Sequence, residues 1–262
     1  MEAVELLRGV LSRQPAGEED LQLFDSDIDD WLSNQQDGDG AAELYLFDSD
    51  LDEWLSGQTG GAGAALHVLI GDSIARDAPF QVRRPDQLLK LTVGGMTWAR
   101  LPVERYIHQW REAASARGLR VGVAVVFLSG NDVYARRRGA ADLPTDAHWD
   151  ILRGTVCRCV TALAAAAERV ILLGPLPRFV KDAGKPWERT AAYHLERHIG
   201  YWIRDMGAPN VSQVELGRRL THRVKKRHVV NNSKEFQSDG LHISTHGYKK
   251  ISAKVPEWLL QE

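Results

Sequence analysis

Beyond residue 65 the chain alternates short aliphatic and β-branched runs with longer amphipathic stretches. LHVLI (66–70), LKLTV (89–93), VGVAVVFL (121–128) and RVILL (169–173) are nearly continuous apolar segments, and NVSQV (210–214) is a weaker fifth. Runs that are apolar at successive positions predict strands covered on both faces, the habit of parallel sheets. Between them, residues 99–117, 146–168, 187–206 and 245–260 carry helical apolar spacing. Strand alternating with helix predicts a three-layer α/β/α domain over 66–262, with a mainly five-stranded parallel sheet. Ligands bind such sheets beyond the carboxyl ends of the strands, so chemistry is expected in the residues just after each strand.

The first 65 residues follow a different rule. LQLFDSDIDDWLS (21–33) returns as LYLFDSDLDEWLS (44–56), 23 positions later, and each copy runs into a polar or glycine-rich spacer. Phe24, Ile28, Trp31 and Leu32, like Phe47, Leu51, Trp54 and Leu55, fall at i, i+4, i+7 and i+8. That spacing puts them on one helical face with the aspartates opposite. So short and so acidic a helix is marginal alone. Residues 1–65 are therefore expected to be largely disordered, the repeats serving as short motifs that fold on a partner protein. A plain solubilising tail, or a tail lying on the basic part of its own chain across the flexible spacer, are the other readings.

Charge follows the same division. Residues 1–65 hold two basic and sixteen acidic residues, a formal −14, leaving +12 on 66–262 behind a net −2. The overall balance, 44% hydrophobic and 26% charged, is that of a soluble globular protein. No stretch approaches the roughly 18 apolar residues of a membrane span. The start, MEAVELLRGVLSRQ, lacks the basic and apolar regions of a secretory signal. An intracellular protein, cytoplasmic or nuclear, is expected. Cys157 and Cys159 stand two apart on a predicted helix and face different ways, so they are expected to be reduced and unpaired.

The residues after the strands are polar in an informative way. Gly71-Asp72-Ser73-Ile74 follows the first, Gly94-Gly95-Met96-Thr97 the second and Ser129-Gly130-Asn131-Asp132 the third, while Ser238-Asp239-Gly240-Leu241-His242 precedes the last helix. One loop offers a hydroxyl, the next a glycine N–H, the third an amide, and the last a carboxylate three residues before an imidazole. Singly, Ser73 as a helix cap, Gly95 as a turn residue and Asn131 as a loop anchor are commonplace. Together, in this order, the four blocks resemble those of the SGNH hydrolase superfamily, also called GDSL esterases and lipases, over about residues 66–262.

The resemblance implies a flavodoxin-like fold and acyl transfer to water through an acyl-serine. Ser73 is then the nucleophile, His242 its base, and Asp239 the group that orients the imidazole. The Ser73 and Gly95 backbone N–H groups and the Asn131 side-chain amide form the oxyanion hole. No metal or organic cofactor is required. Asp72 and Asp132 read as loop-bracing residues, and the dipole of a helix opening at Ser73 is expected to help. The substrate is expected to be a small or polymer-attached ester with a short acyl group, acetyl being a reasonable choice. In GPLPRFVKDAGKPW (174–187), Pro175, Leu176 and Phe179 are candidates to line the acyl site.

Two histidine pairs, His194/His198 and His242/His246, have the i, i+4 spacing of a helical metal pair, but neither brings a third ligand, so packed or solvated histidines are expected. RVKKRH (223–228), with Arg218 and Arg219 before it, and Arg136–Arg138 form basic clusters. They read as solvated surface, or as a site for nucleic acid, acidic lipid or the acidic repeats. SGNH-like domains also occur in retroelement reading frames. That leaves a second reading, a non-catalytic scaffold whose basic surface binds nucleic acid or an acidic partner.

Overall fold

The computed structural model describes residues 64–80, 84–134, 146–231 and 233–255. The acidic repeats and Arg136–Arg138 lie outside the described residues.

Strands β1 (Ala65–Gly71), β2 (Leu88–Thr92), β3 (Arg120–Phe127), β4 (Arg169–Leu173) and β5 (Val211–Val214) form one sheet in the order β2-β1-β3-β4-β5. Every pairing in it is parallel. All five expected strands are present, with ends shifted by at most a residue or so. The order is that of a doubly wound flavodoxin-like sheet, whose direction of winding reverses between β1 and β3.

Alternation along the strands sorts their side chains between two cores. Leu66, Val68, Ile70, Ala124, Val126 and Leu172 point to one face, which is covered by α2 (Val103–Ala116), α3 (Asp146–Ala166) and α5 (Ala191–Met206). Leu69, Val123, Val125, Phe127, Ile171 and Leu173 point to the other, covered by α1 (Ser73–Asp77), α6 (Thr245–Ser252) and one-turn segments. The fully buried Trp110 of α2 donates its indole N–H to the Leu66 carbonyl at 2.8 Å, so a large ring is buried without an orphaned donor.

Helix boundaries follow local chemistry. Pro102 holds α2 back to Val103, and the Thr190 hydroxyl, accepting from the Tyr193 N–H at 3.1 Å, caps α5. The stretch expected as one helix over 187–206 is therefore a 3₁₀ turn, Trp187–Arg189, followed by α5. RVKKRH is not featureless surface: β6 (His222–Val224) and β7 (Arg227–Val229) pair antiparallel across a turn in which Lys225 takes φ 56°. A short α4 (Phe179–Asp182) lies inside the loop after β4.

One irregularity crosses the middle of the sheet. The β1–β3 register slips between Leu66 and Val68, and the displaced Val123 N–H donates to His67 Nδ1 at 3.1 Å. Burial, and secondarily the charge of Arg120, lowers this imidazole to about 4, which keeps it neutral and able to accept.

Candidate active site

β1 ends at Gly71 because nothing larger fits. A Cβ there would stand 2.3 Å from Ala75 Cβ and 2.4 Å from the Phe127 carbonyl oxygen, so the glycine lets α1 fold back against the sheet. Asp72 then caps α1, its Oδ1 accepting from the Ile74 N–H at 2.9 Å. Its other oxygen accepts from the Ser129 N–H at 3.0 Å, the Ser129 hydroxyl at 2.5 Å and Asn131 Nδ2 at 2.9 Å. This carboxylate is fully buried and ties the loop after β1 to the loop after β3, the bracing role expected of it. α1 has only five residues, so the dipole expected to help Ser73 is slight.

Across the cleft, the turn before α6 brings its imidazole to the serine. His242 Nε2 lies 3.1 Å from Ser73 Oγ, and Nδ1 lies 2.5 Å from Asp239 Oδ2. Asp239 Oδ1 accepts from the Leu241 and His242 backbone N–H groups at 2.9 and 3.0 Å, which sets the turn around the ring. Gly240 takes φ 64° in that turn. Burial acts to raise the Asp239 carboxyl, but the hydrogen bonds from the His242 ring and from the two backbone N–H groups outweigh it and leave the group at about 2. The serine of the first block and the imidazole and carboxylate of the last form one hydrogen-bonded line.

Gly95, at φ 71°, turns the loop after β2 toward the same cleft. Asn131 lines the cleft, but its amide hydrogens are engaged with Asp72 Oδ2 and the Met96 carbonyl, both at 2.9 Å. Its Oδ1 accepts from Arg178 at 2.5 Å. Asp132 Oδ1 accepts from the Trp98 N–H at 2.9 Å, while its buried Oδ2 has no partner among the described residues. Burial raises this carboxyl to about 6, against the pull of backbone N–H groups.

These loops enclose a cleft of about 420 Å³ lined by Ser73, Gly95, Asn131 and His242 together with Thr97, Arg100, Tyr134, Arg178 and Leu241. The loop after β4 does border it, through a different residue from those expected. Leu176, 2% exposed, walls a small niche beside the cleft with Ile74 and Ile243, whereas Phe179 stacks on Phe236 at 5.8 Å and Pro175 is buried away from the cleft lining. Arg178 faces the cleft instead. It lies over the Tyr134 ring at 4.5 Å, and the Tyr134 hydroxyl donates to the buried Asp182. Nothing in a lone arginine within PLPRF separates it from surface charge.

Of the histidine pairs, His198 stacks between Trp149 at 4.3 Å and Trp202 at 5.4 Å, the packed arrangement expected. His246 starts α6 near the buried Glu235. Cys159 is buried and Cys157 half-buried, and both are free thiols. Among the described residues, no helix is long and apolar enough to cross a membrane.

Solved structures similar to this one include a catalytic mutant of Axe2, an acetylxylan esterase from Geobacillus stearothermophilus. It matches at a TM-score of 0.49 and 14% identity over 77% of this chain and 97% of that one. Another is LAE5, an alpha/beta hydrolase enzyme from the metagenome of Lake Arreo, Spain, at a TM-score of 0.48 and 17% identity over 77% of this chain and 99% of that one. No protein-family model and no curated protein sequence matches the chain. Likenesses this distant concern the course of the backbone and say nothing of what this chain acts on.

Proposed function

We propose that the protein is a serine ester hydrolase of the SGNH kind. The observation that carries the reading is the line from Asp239 Oδ2 through the His242 ring to Ser73 Oγ, with contacts of 2.5 and 3.1 Å. As His242 Nε2 takes the hydroxyl proton, Ser73 Oγ attacks the ester carbonyl carbon. The imidazolium formed is stabilised by Asp239, which stays ionised throughout. The carbonyl oxygen becomes an oxyanion facing the Ser73 and Gly95 backbone N–H groups, each such donor being worth ~2.7–4 kcal/mol to a transition state. Asn131 joins as a third donor by releasing its bond to the Met96 carbonyl. Collapse of the intermediate expels the alkoxide, which takes the proton back from His242 and leaves an acyl-serine. Water, deprotonated by His242, repeats the cycle and frees the acid. A short acyl group, acetyl among them, suits the cleft of about 420 Å³, whose apolar lining beside Ser73 is Ile74 and Leu241.

The reading is tested with a fluorophosphonate probe on the full-length protein. A single adduct on Ser73, absent from Ser73→Ala, is the expected result. An unlabelled wild-type protein would sink the proposal.

A further inference from the structure

The cleft has an electrostatic character that ester hydrolysis alone does not demand. Among the described residues two guanidinium groups, Arg100 and Arg178, line it, and no carboxylate does. The acids nearest Arg178 and His242 are already committed. Asp72 is buried under its donors from Ile74, Ser129 and Asn131, and Asp239 is bound to His242. Asp182 accepts from the Arg178 backbone N–H at 3.0 Å and from the Tyr134 hydroxyl. Among the described residues neither Arg100 nor Arg178 takes part in an ion pair.

Arg178 is also held in place before any ligand arrives. Its stacking on Tyr134 and its bond to Asn131 Oδ1 fix the plane of the guanidinium. A guanidinium carries five N–H donors in a rigid fork, and the Asn131 contact uses one. Burial disfavours its charge, while the fields of Tyr134, Asp72 and Asp182 partly restore it. A desolvated, pre-oriented cation is the group best suited to a planar oxyanion, because little side-chain entropy remains to be lost on binding. Arg100 is exposed at the rim, where it draws anions toward the cleft.

We infer that this cleft selects esters that carry a carboxylate close to the scissile bond, held by Arg178 and steered by Arg100. The inference rests on the esterase reading and names the substrate class of the same site. A monoanion fits better than a dianionic phosphate, because part of the Arg178 fork is already spent on Asn131.

The test compares para-nitrophenyl hydrogen succinate with para-nitrophenyl methyl succinate, esters of nearly the same shape that differ by one negative charge. The full-length protein at low salt is expected to show at least a ~10-fold higher kcat/KM for the anionic ester, a preference that shrinks as salt is added. In Arg178→Lys the ratio of the two kcat/KM values is expected to fall about 10-fold, since an ammonium cannot reproduce the planar fork. Arg178 also braces Asn131 and Tyr134, so Arg100→Gln at the rim provides a second variant, in which the ratio falls a few-fold. Equal rates for the two esters, a preference for the methyl ester, or turnover of neither while Ser73 still takes the fluorophosphonate probe would overturn the inference and leave the esterase reading standing. Failure of Ser73 to take the probe overturns the esterase reading itself.

Discussion

On the Ser73 side of the cleft, Asp72 is fully buried and gathers donors from Ile74, Ser129 and Asn131, residues as far as 59 positions away. On the His242 side, Asp239 has a side chain 42% exposed and serves only its own turn, accepting from Leu241 and His242 within three positions. Two aspartates therefore do opposite work. The buried one holds two loops of the sheet together and sets where the serine stands. The exposed one holds one ring at one angle, and the fold rests little on it. A residue can thus be essential to the architecture without lying on the line that runs to Ser73, and the reverse.

That contrast can be broken by substitution, beginning with the largest effect. Ser73→Ala is expected to lower turnover of an activated ester by about 10⁵–10⁶-fold with the thermal midpoint nearly unchanged, measured by steady-state rates and calorimetry. Asp239→Ala should cost about 10⁴-fold in kcat, again with little change in melting, because an exposed pair contributes little to stability. Asp72→Ala reverses the pattern. Leaving the Ser129 and Asn131 donors unpaired in the interior is expected to cost about 3–5 kcal/mol and to lower the melting temperature by roughly 10 °C. An Asp72→Ala protein that melts like the wild type would erase the distinction between the two sides.

The smallest effects are on pH dependence, and here too two groups, both half-buried, oppose each other. His67 titrates at about 4 in the fold against 6.5 when free, so the unfolded chain binds the extra proton between these values. Its contribution is complete above pH 6.5 and is lost as pH falls through about 4. Asp132 titrates at about 6 against 3.8, so its contribution is complete below pH 3.8 and is lost as pH rises through about 6. Urea midpoints measured across this range are expected to lose their rising component in His67→Gln and their falling component in Asp132→Asn. A pH profile identical to the wild type in either variant would remove that group from the account.

Much of the framework was legible in the residues themselves. Nearly continuous apolar runs announced β1, β3 and β4, because a strand covered on both faces has little room for polar side chains. The strand ends were then the natural place to look for polar chemistry, and Ser73, Gly95, Asn131 and His242 do line one cleft. The Asp239–His242 pair was legible for a local reason, since three positions in a tight turn suffice to join carboxylate and ring. Other features were not. The loop after β4 was expected to offer Pro175, Leu176 and Phe179, yet it turns Arg178 into the cleft, because Phe179 finds Phe236 while Pro175 and Leu176 are buried.

What the amino-acid order determines here is what can be decided within a few residues: strand, helix, cap, and the turn that aims an imidazole. What the tertiary structure alone decides is which distant groups meet. The contact between His242 and Ser73 spans 169 positions, the register slip that sets His67 against Val123 spans 56, and the bond that fixes Arg178 on Asn131 spans 47. Such meetings depend on how the sheet closes and how helices pack over it, and periodicity along a chain carries no record of distance across it.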